Sequence, residues 1–411
     1  MTSNELRRHL GVRDAVLLGL GSMIGAGVFA ALAPAARAAG SGLLLGLAIA
    51  AVVAYCNATS SARLAAVYPS SGGTYVYGRE RLGEFWGYLA GWGFVVGKTA
   101  SCAAMALTVV TYAAPGLGQP WRSLLAVAVV AALTGVNYRG VRRSALATLV
   151  IVTVTLLVLA VAISAVAFAG PPRAGGLGAF TGTGVGGVLE AAGLLFFAFA
   201  GYARIATLGE EVRDPARTIP LAIPIALGLT LVVYAVLAVV LLLRLGPGQL
   251  GADADPIAAA VSASNWHWLT PVIRGGAALA ALGSLLALVL GVSRTTLAMA
   301  RDGHLPRFLA SVHPRFGVPH RAEVAVGVVV SVLVCTTDLR GAIGFSSFAV
   351  LAYYTVANAS ALTLRRDFIG ATGLAGCLVL AVSLPLASVV TGCCVLAAGA
   401  AAFAVRRVTR N

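Results

Sequence analysis

The stretch LLGLGSMIGAGVFAAL, residues 17–32, decides the fold, because its 16 residues include no charged side chain and four glycines. Gly21 and Gly25 form a G-x-x-x-G pair, which alone favours close packing of membrane helices over a binding site. The spacing differs from the fingerprint of dinucleotide-binding proteins, and no strand precedes it. The interpretation of this stretch therefore depends on whether a matching stretch occurs elsewhere in the chain.

A matching stretch does occur at AAGLLFFAFAGYARIATLGEE, residues 191–211, where Gly201 lies at mid-depth and Arg204 follows it. The two stretches enter the membrane from opposite sides and lie five spans apart. Weak helical segments at equivalent places in two halves are typical of inverted-repeat transporters. Irregular backbone survives at that depth only where protein or a cavity surrounds it, because lipid offers no hydrogen bonds. The pair therefore predicts a binding site between the two interruptions.

The composition places the rest of the chain in a membrane. Of the 411 residues, 59% are hydrophobic and 10% are charged, and the mean hydropathy is +0.93. A soluble domain would carry about 25% charged residues. The net charge of +15 comes from arginines in short turns between apolar runs. This pattern predicts a lipid bilayer as the surrounding partner, no nucleic acid, and both termini in the cytoplasm.

About twelve spans are expected, since each helical crossing takes roughly 20 apolar residues. The predicted spans are 12–36, 42–66, 84–112, 122–138, 145–168, 187–209, 218–244, 272–300, 323–337, 341–364, 369–387 and 389–405. The longest outer segment, 245–271, is expected to carry a short helix over the outer mouth. The fold class is thus an all-α integral membrane protein.

Four stretches in order carry a resemblance to a known family. They are GLGSMIGAGVF at 19–29, YPSSGGTYVYGRERLGEFWGYLAGW at 68–92, FFAFAGYARIATLGEEVRDPARTIPLAI at 196–223 and SRTTLAMARDGHLPRFLASVHPRFGVPHRA at 293–322. Together they resemble the amino acid–polyamine–organocation (APC) superfamily of permeases. The resemblance implies a leucine-transporter-type fold, a 5+5 inverted repeat with broken helices 1 and 6. It also implies secondary active transport of amino acids or related amines, driven by a proton or by exchange.

The same resemblance divides the chain. The expected parts are a cytoplasmic tail at 1–11, a first repeat at 12–168 (spans 1–5), a second repeat at 187–364 (spans 6–10), two additional spans at 369–405 and a cytoplasmic tail at 406–411.

An amino acid zwitterion needs donors for its carboxylate and acceptors for its ammonium. The half-helix that begins after the first break offers free N–H groups and a positive dipole end. Unwound carbonyls at the second break are the natural acceptors for the ammonium. Phe199 and Tyr202 could be aromatic walls or gates, and Phe199 could equally be packing. The candidate substrate-binding residues are Ser22, Met23, Ile24, Gly25, Ala26 and Gly27 in span 1, and Phe197, Ala198, Phe199, Ala200, Gly201 and Tyr202 in span 6.

Three positions depart from the family pattern. Ala203 stands where many members have an acidic residue, and Gly97 stands where relatives with cationic substrates have a glutamate. With neither acid present, a neutral amino acid of modest size is favoured. Thr155 stands where some proton-coupled relatives have a lysine.

Lys98 is the only lysine of the chain and lies about midway along span 3. A charge at the bilayer centre costs at least about 2.5–3.5 kcal/mol. Lysine can release its proton, whereas arginine cannot. Lys98 is therefore predicted to carry the coupling proton or a switchable contact to the substrate carboxylate; the alternative is that it is tolerated in a watery cavity. Thr155 and Ser284 are further proton-coupling candidates, with helix–helix hydrogen bonding as the alternative for Ser284.

The gate candidates are charged residues near the two ends of the path. They are Glu190 at the outer end, and Glu210, Glu211 and Arg213 at the cytoplasmic exit, all of which could instead be solvated. No pattern of a nucleophilic triad, nucleotide site or metal site is found, so no enzyme activity, cofactor or metal is predicted. The favoured function is a proton-coupled amino acid transporter. The alternatives are an amino acid/amine exchanger and a membrane sensor that binds an amino acid without moving it.

Overall fold

The computed structural model describes residues 11–68, 72–139, 145–169, 184–202, 205 and 212–410. The described chain is built from helices joined by short turns. The helices are α1 (Val12–Met23), α2 (Ala26–Ala39), α3 (Leu43–Val67), α4 (Thr74–Leu82), α5 (Glu84–Ala113), α6 (Trp121–Tyr138), α7 (Ala145–Ala167), α8 (Gly184–Phe199), α9 (Pro215–Ala252), α10 (Pro256–Ser262), α11 (Thr270–Arg301), α12 (His320–Thr336), α13 (Leu339–Leu364), α14 (Phe368–Ser383) and α15 (Leu386–Arg410).

Within those ranges, nine helical segments are long and apolar enough to cross a membrane. The expected twelve differ from nine for identifiable reasons. One segment, Gly27–Val67, holds α2 and α3, which a 3₁₀ turn joins at Gly40–Gly42. Two of the other expected spans are α12 and α14, which have only 17 and 16 residues. The short helix expected in the outer segment is present as α10.

Both glycine-rich stretches contain the end of a helix. Helix α1 ends at Met23 and α2 begins at Ala26, because Ile24 (ψ 33°) and Gly25 (ψ −135°) leave helical geometry. Helix α8 ends at Phe199, and a single 3₁₀ turn, Ala200–Tyr202, follows it. A glycine lies close to each of these ends, Gly25 after α1 and Gly201 after α8, and glycine is a poor helix former.

Helix α5 is the central element of the molecule. It packs against α13 and α11 along its length and against α4, α12 and α15 as well. Every residue from Gly97 to Tyr112 is buried. A helix that is apolar all round belongs in the middle of a bundle, and small residues allow its neighbours to come close. A Cβ at Gly97, for example, would lie 2.8 Å from the Cβ of Ala349 on α13.

A polar cluster surrounds the N-terminal end of α5. The hydroxyl of Tyr75 on α4 lies 2.5 Å from an Asp302 carboxylate oxygen and 2.7 Å from Nδ1 of His304. Nε2 of His304 lies 3.3 Å from the carboxylate of Glu84, the first residue of α5. Arg406 of α15 donates to the Gly303 carbonyl. Burial and the neighbouring Asp302 carboxylate raise the pKa of Tyr75 above its ordinary value.

Three aspartates of the described chain cap helices at their N-termini: Asp214, Asp338 and Asp367. Asp338 accepts a hydrogen bond from the Gly341 N–H at the start of α13, and Asp367 accepts one from the Gly370 N–H at the start of α14. Asp367 also forms an ion pair with Arg63 of α3. The Gly370 hydrogen bond and the Arg63 guanidinium lower the pKa of Asp367.

We expect Asp367→Ala to lower the free energy of unfolding by about 1–2 kcal/mol, because both the cap and the cross-helix pair are lost. Asp338→Ala is the matched control: it removes a cap with no ion pair among the described residues, and should cost about 1 kcal/mol. Thermal unfolding in detergent measures both. If Arg63→Ala destabilises the Asp367→Ala variant as much as it does the wild type, the pair contributes nothing.

Candidate functional site

The two glycine-rich stretches lie directly against each other. A Cβ built on Gly201 would lie 2.2 Å from the carbonyl oxygen of Ser22 and 2.8 Å from the nitrogen of Met23. A Cβ on Gly27 would lie 2.8 Å from the Cα of Ala198. Backbone thus meets backbone at the end of α1 and at the end of α8, and glycine is required on both sides of the contact.

Tyr234 of α9 joins the two helix ends. Its hydroxyl oxygen lies 2.6 Å from the carbonyl oxygen of Met23 and 3.2 Å from that of Ala198, so its hydrogen can serve either acceptor. The Tyr234 ring packs on Phe199, with centroids 5.3 Å apart. The sequence prediction of the site does not include Tyr234. A signal for it exists in the sequence: it is a lone tyrosine in the apolar run of α9, and a buried hydroxyl needs a hydrogen-bond partner.

Helix α11 brings Ser284 to the same place. A Cβ on Gly25 would lie 1.9 Å from Oγ of Ser284, so the serine stands against the residue between α1 and α2. Thr155 of α7 is used differently: its hydroxyl donates to the Ile151 carbonyl of its own helix at 2.7 Å. Of these two predicted residues, Ser284 is the one that contacts the junction of α1 and α2.

Lys98 reaches the site from α5. Its side chain is only 8% exposed, and Nζ lies 3.4 Å from the carbonyl oxygen of Ala200, the first residue of the turn after α8. Among the described residues, no carboxylate lies within ion-pair distance of Nζ. The lone lysine thus contacts the backbone of the second stretch, residues 191–211.

The aromatic candidates are closed in. Phe199 and Tyr202 are both fully buried. The Tyr202 ring packs on Tyr354 of α13, with centroids 5.2 Å apart. The hydroxyls of Tyr202 and Tyr354 are buried as well. The sequence left two roles open for Phe199, a wall of the binding site or a packing residue. In this conformation its ring is packed against other side chains.

Glu190 forms an ion pair with Arg340, which joins α8 to the start of α13. Both side chains are partly exposed, at 23% and 32%. The sequence alone does not predict this pair, because it does not show that Glu190 of α8 and the start of α13 lie side by side. Of the inner gate candidates, Arg213 is exposed, while Glu210 and Glu211 lie outside the described residues, as does Ala203.

Residues 10–409 match the model of the amino acid permease family. The chain belongs to that family. The match confirms the resemblance to the APC superfamily and makes this permease a multi-pass membrane transporter of amino acids.

Relatives agree with the assignment. An uncharacterised transporter of Mycobacterium tuberculosis is 65% identical over 98% of this chain and 92% of its own length. The branched-chain amino acid permease BcaP of Bacillus subtilis is 27% identical, with 89% and 83% covered. Cationic amino acid transporter 7, chloroplastic, of Arabidopsis thaliana is 29% identical, with 87% and 66% covered.

We expect Tyr234→Phe to destabilise this permease by about 1–3 kcal/mol, because the buried carbonyls of Met23 and Ala198 lose their donor. Tyr77→Phe is the matched control: the Tyr77 ring is equally buried, and its hydroxyl has no partner among the described residues. The control should be neutral or stabilising. Equal thermal midpoints for the two variants would contradict the bridging role.

Gly201→Ala should lower the free energy of unfolding by about 1–3 kcal/mol, because the new methyl group collides with the Ser22 backbone. Gly228→Ala on α9 is the control, since nothing lies within 4 Å of a Cβ there. It should be neutral or stabilise the helix by up to about 1 kcal/mol. If Gly201→Ala behaves like Gly228→Ala in thermal unfolding, the two helix ends are not held in close contact.

Proposed function

We propose that this permease moves amino acids across the cytoplasmic membrane by alternating access, with both termini in the cytoplasm. The observation that carries the proposal is the backbone contact of Gly201 with Ser22, beside which the Tyr234 hydroxyl joins the carbonyls of Met23 and Ala198. This contact brings together two segments that lie far apart in the sequence, 22–27 and 197–202, which the resemblance assigns to substrate binding.

The proposed architecture is two inverted repeats, residues 12–168 and 187–364, followed by two spans at 369–405. In this scheme α1 with α2 forms the first broken span, and α8 with the turn after it belongs to the second. The positions of the helix ends, close to mid-depth in spans 1 and 6, support the scheme.

The substrate's two charges fit the two helix ends. Helix α2 begins at Ala26, and its first N–H groups have no partner within the helix, so they suit a carboxylate. The carbonyls from Phe197 to Gly201 suit an ammonium group. Gly25 and Gly27 permit a close approach to the backbone.

A neutral amino acid of modest size is the proposed substrate. Gly97, where a glutamate would meet a cationic side chain, lies too close to α13 to carry any side chain without a shift. The name of the Bacillus relative points to branched-chain substrates, whereas the names of the Arabidopsis relatives point to cationic ones. The departures at Gly97 and Ala203 favour the first.

A thermal-shift screen of the purified protein against neutral and cationic amino acids tests the substrate class, because a bound ligand raises the apparent stability. A ligand at 100 times its Kd adds about 2.7 kcal/mol. We expect shifts with neutral amino acids. If only cationic amino acids stabilise the protein, the neutral assignment is wrong.

Transport itself is tested by counterflow in proteoliposomes. Uptake of labelled substrate against unlabelled substrate inside is expected of a coupled transporter and of an exchanger. An exchanger needs internal amino acid and no pH gradient, whereas a proton-coupled transporter responds to the gradient alone. Ligand-induced thermal shifts without any flux would leave only the sensor.

The Glu190–Arg340 pair is proposed as an outer gate, because it must break for α8 to separate from α13. We expect Glu190→Gln and Arg340→Gln each to change the counterflow rate, with a coupling between them of about 1 kcal/mol in a double-mutant cycle. The control is the pair of Arg274 and Asp255, joined at 2.9 Å, which links α11 to the residue before α10. Additive effects at Glu190 and Arg340 would contradict the gate.

Lys98 is proposed as the residue through which protons couple to transport, with Thr155 and Ser284 as secondary candidates. We expect Lys98→Arg to reduce the pH dependence of uptake to within about twofold, because a guanidinium keeps its proton. Lys98→Met tests whether the charge is needed at all. A pH-jump uptake assay measures both. If Lys98→Arg keeps the wild-type pH dependence, Lys98 is not the coupling group.

A further inference from the structure

The lone lysine presents the same chemical group that an amino acid substrate presents. Both carry a primary ammonium, and a primary ammonium donates to carbonyl oxygens. Nζ of Lys98 lies 3.4 Å from the Ala200 carbonyl, in the middle of the run proposed to receive the substrate's ammonium. The described part of the chain provides no carboxylate at ion-pair distance that would hold Lys98 elsewhere.

We propose that the Lys98 ammonium occupies the substrate-ammonium position at Ala200, so that protonated Lys98 and substrate exclude each other. The inference rests on the proposed function, since it concerns the order of events at that site. Two ammonium groups on neighbouring carbonyls repel strongly in a water-poor interior. When substrate binds, the Nζ–H bond of Lys98 breaks, and the proton passes to water while the neutral amine remains.

The consequence is a definite sign of coupling. By linkage, substrate binding that releases one proton becomes tighter as the pH rises. The Kd falls by up to about tenfold for each unit of rise in pH, over the range where Lys98 is protonated in the free protein. A symporter that loads proton and substrate together has the opposite sign, with tighter binding at acidic pH. The contact at Ala200 therefore favours exchange of a proton for an amino acid over symport.

Other titratable groups surround α5. Cys102 lies one turn beyond Lys98 on the same helix. The packed neighbours carry Tyr353 and Tyr354 on α13, Arg294 on α11, Glu323 on α12, Tyr75 on α4 and Arg406 on α15. Within the described residues, none of them forms a hydrogen bond or an ion pair with Lys98.

The decisive measurement counts the protons released on binding. Titration calorimetry with L-leucine, L-alanine and L-serine, in two buffers of different ionisation enthalpy, gives protons released per ligand bound. We expect about one proton released by the wild type near neutral pH. Lys98→Met should release none and should bind with an affinity independent of pH. Lys98→Arg should bind more weakly than the wild type at alkaline pH.

Thr108→Val on α5 is the control, because its buried hydroxyl donates only to the Ala104 carbonyl of its own helix in the described structure. It should keep the wild-type proton count. If the wild type takes up protons on binding, or releases none, the proposed competition between Lys98 and substrate is wrong. If the same protein still shows counterflow, the proposed transport function stands. If no amino acid binds and no counterflow occurs, both fail. The wild-type count keeps the test decisive even if a Lys98 variant does not fold.

Discussion

The structure depends on one constraint: a helix that ends inside a membrane leaves backbone N–H and C=O groups that lipid cannot satisfy. In this permease the carbonyls of Met23 and Ala198 accept a hydrogen bond from the Tyr234 hydroxyl. The carbonyl of Ala200 accepts one from the Lys98 ammonium. Donors on α5 and α9 thus do what water does for a soluble helix end. These helix ends are stable because other helices supply hydrogen-bond donors to their carbonyls.

Close approach is the second requirement, and small residues meet it. Glycine brings the end of α8 against the end of α1 at Gly201, and α5 against α13 at Gly97. Helices in membranes gain little from burial away from water, so tight contact between small residues replaces it. The close contact at Gly97 leaves no space for an acidic side chain there, which links the packing of α5 to the proposed substrate class.

Much of this arrangement could be predicted from the sequence. Hydropathy located most helices, because crossing a bilayer requires long apolar runs. Glycine located the helix ends, and the rarity of lysine singled out Lys98. The roles of Tyr234 and Arg340 could not be predicted, because each depends on a partner more than a hundred positions away. The span count differed where helices are short or joined without a polar turn, as at Gly40–Gly42.

The polar cluster at the N-terminal end of α5 has a further consequence. Hydrogen-bond contacts join α5 to α4 and to the loop after α11, through Glu84, Tyr75 and His304. The hydrogen bond from Arg406 joins α15 to the same loop. These contacts fix the start of α5 relative to α4, α15 and the loop after α11. Lys98 lies on the same helix, so the distance from its Nζ to the Ala200 carbonyl oxygen, 3.4 Å here, measures where the end of α8 lies relative to that group of helices.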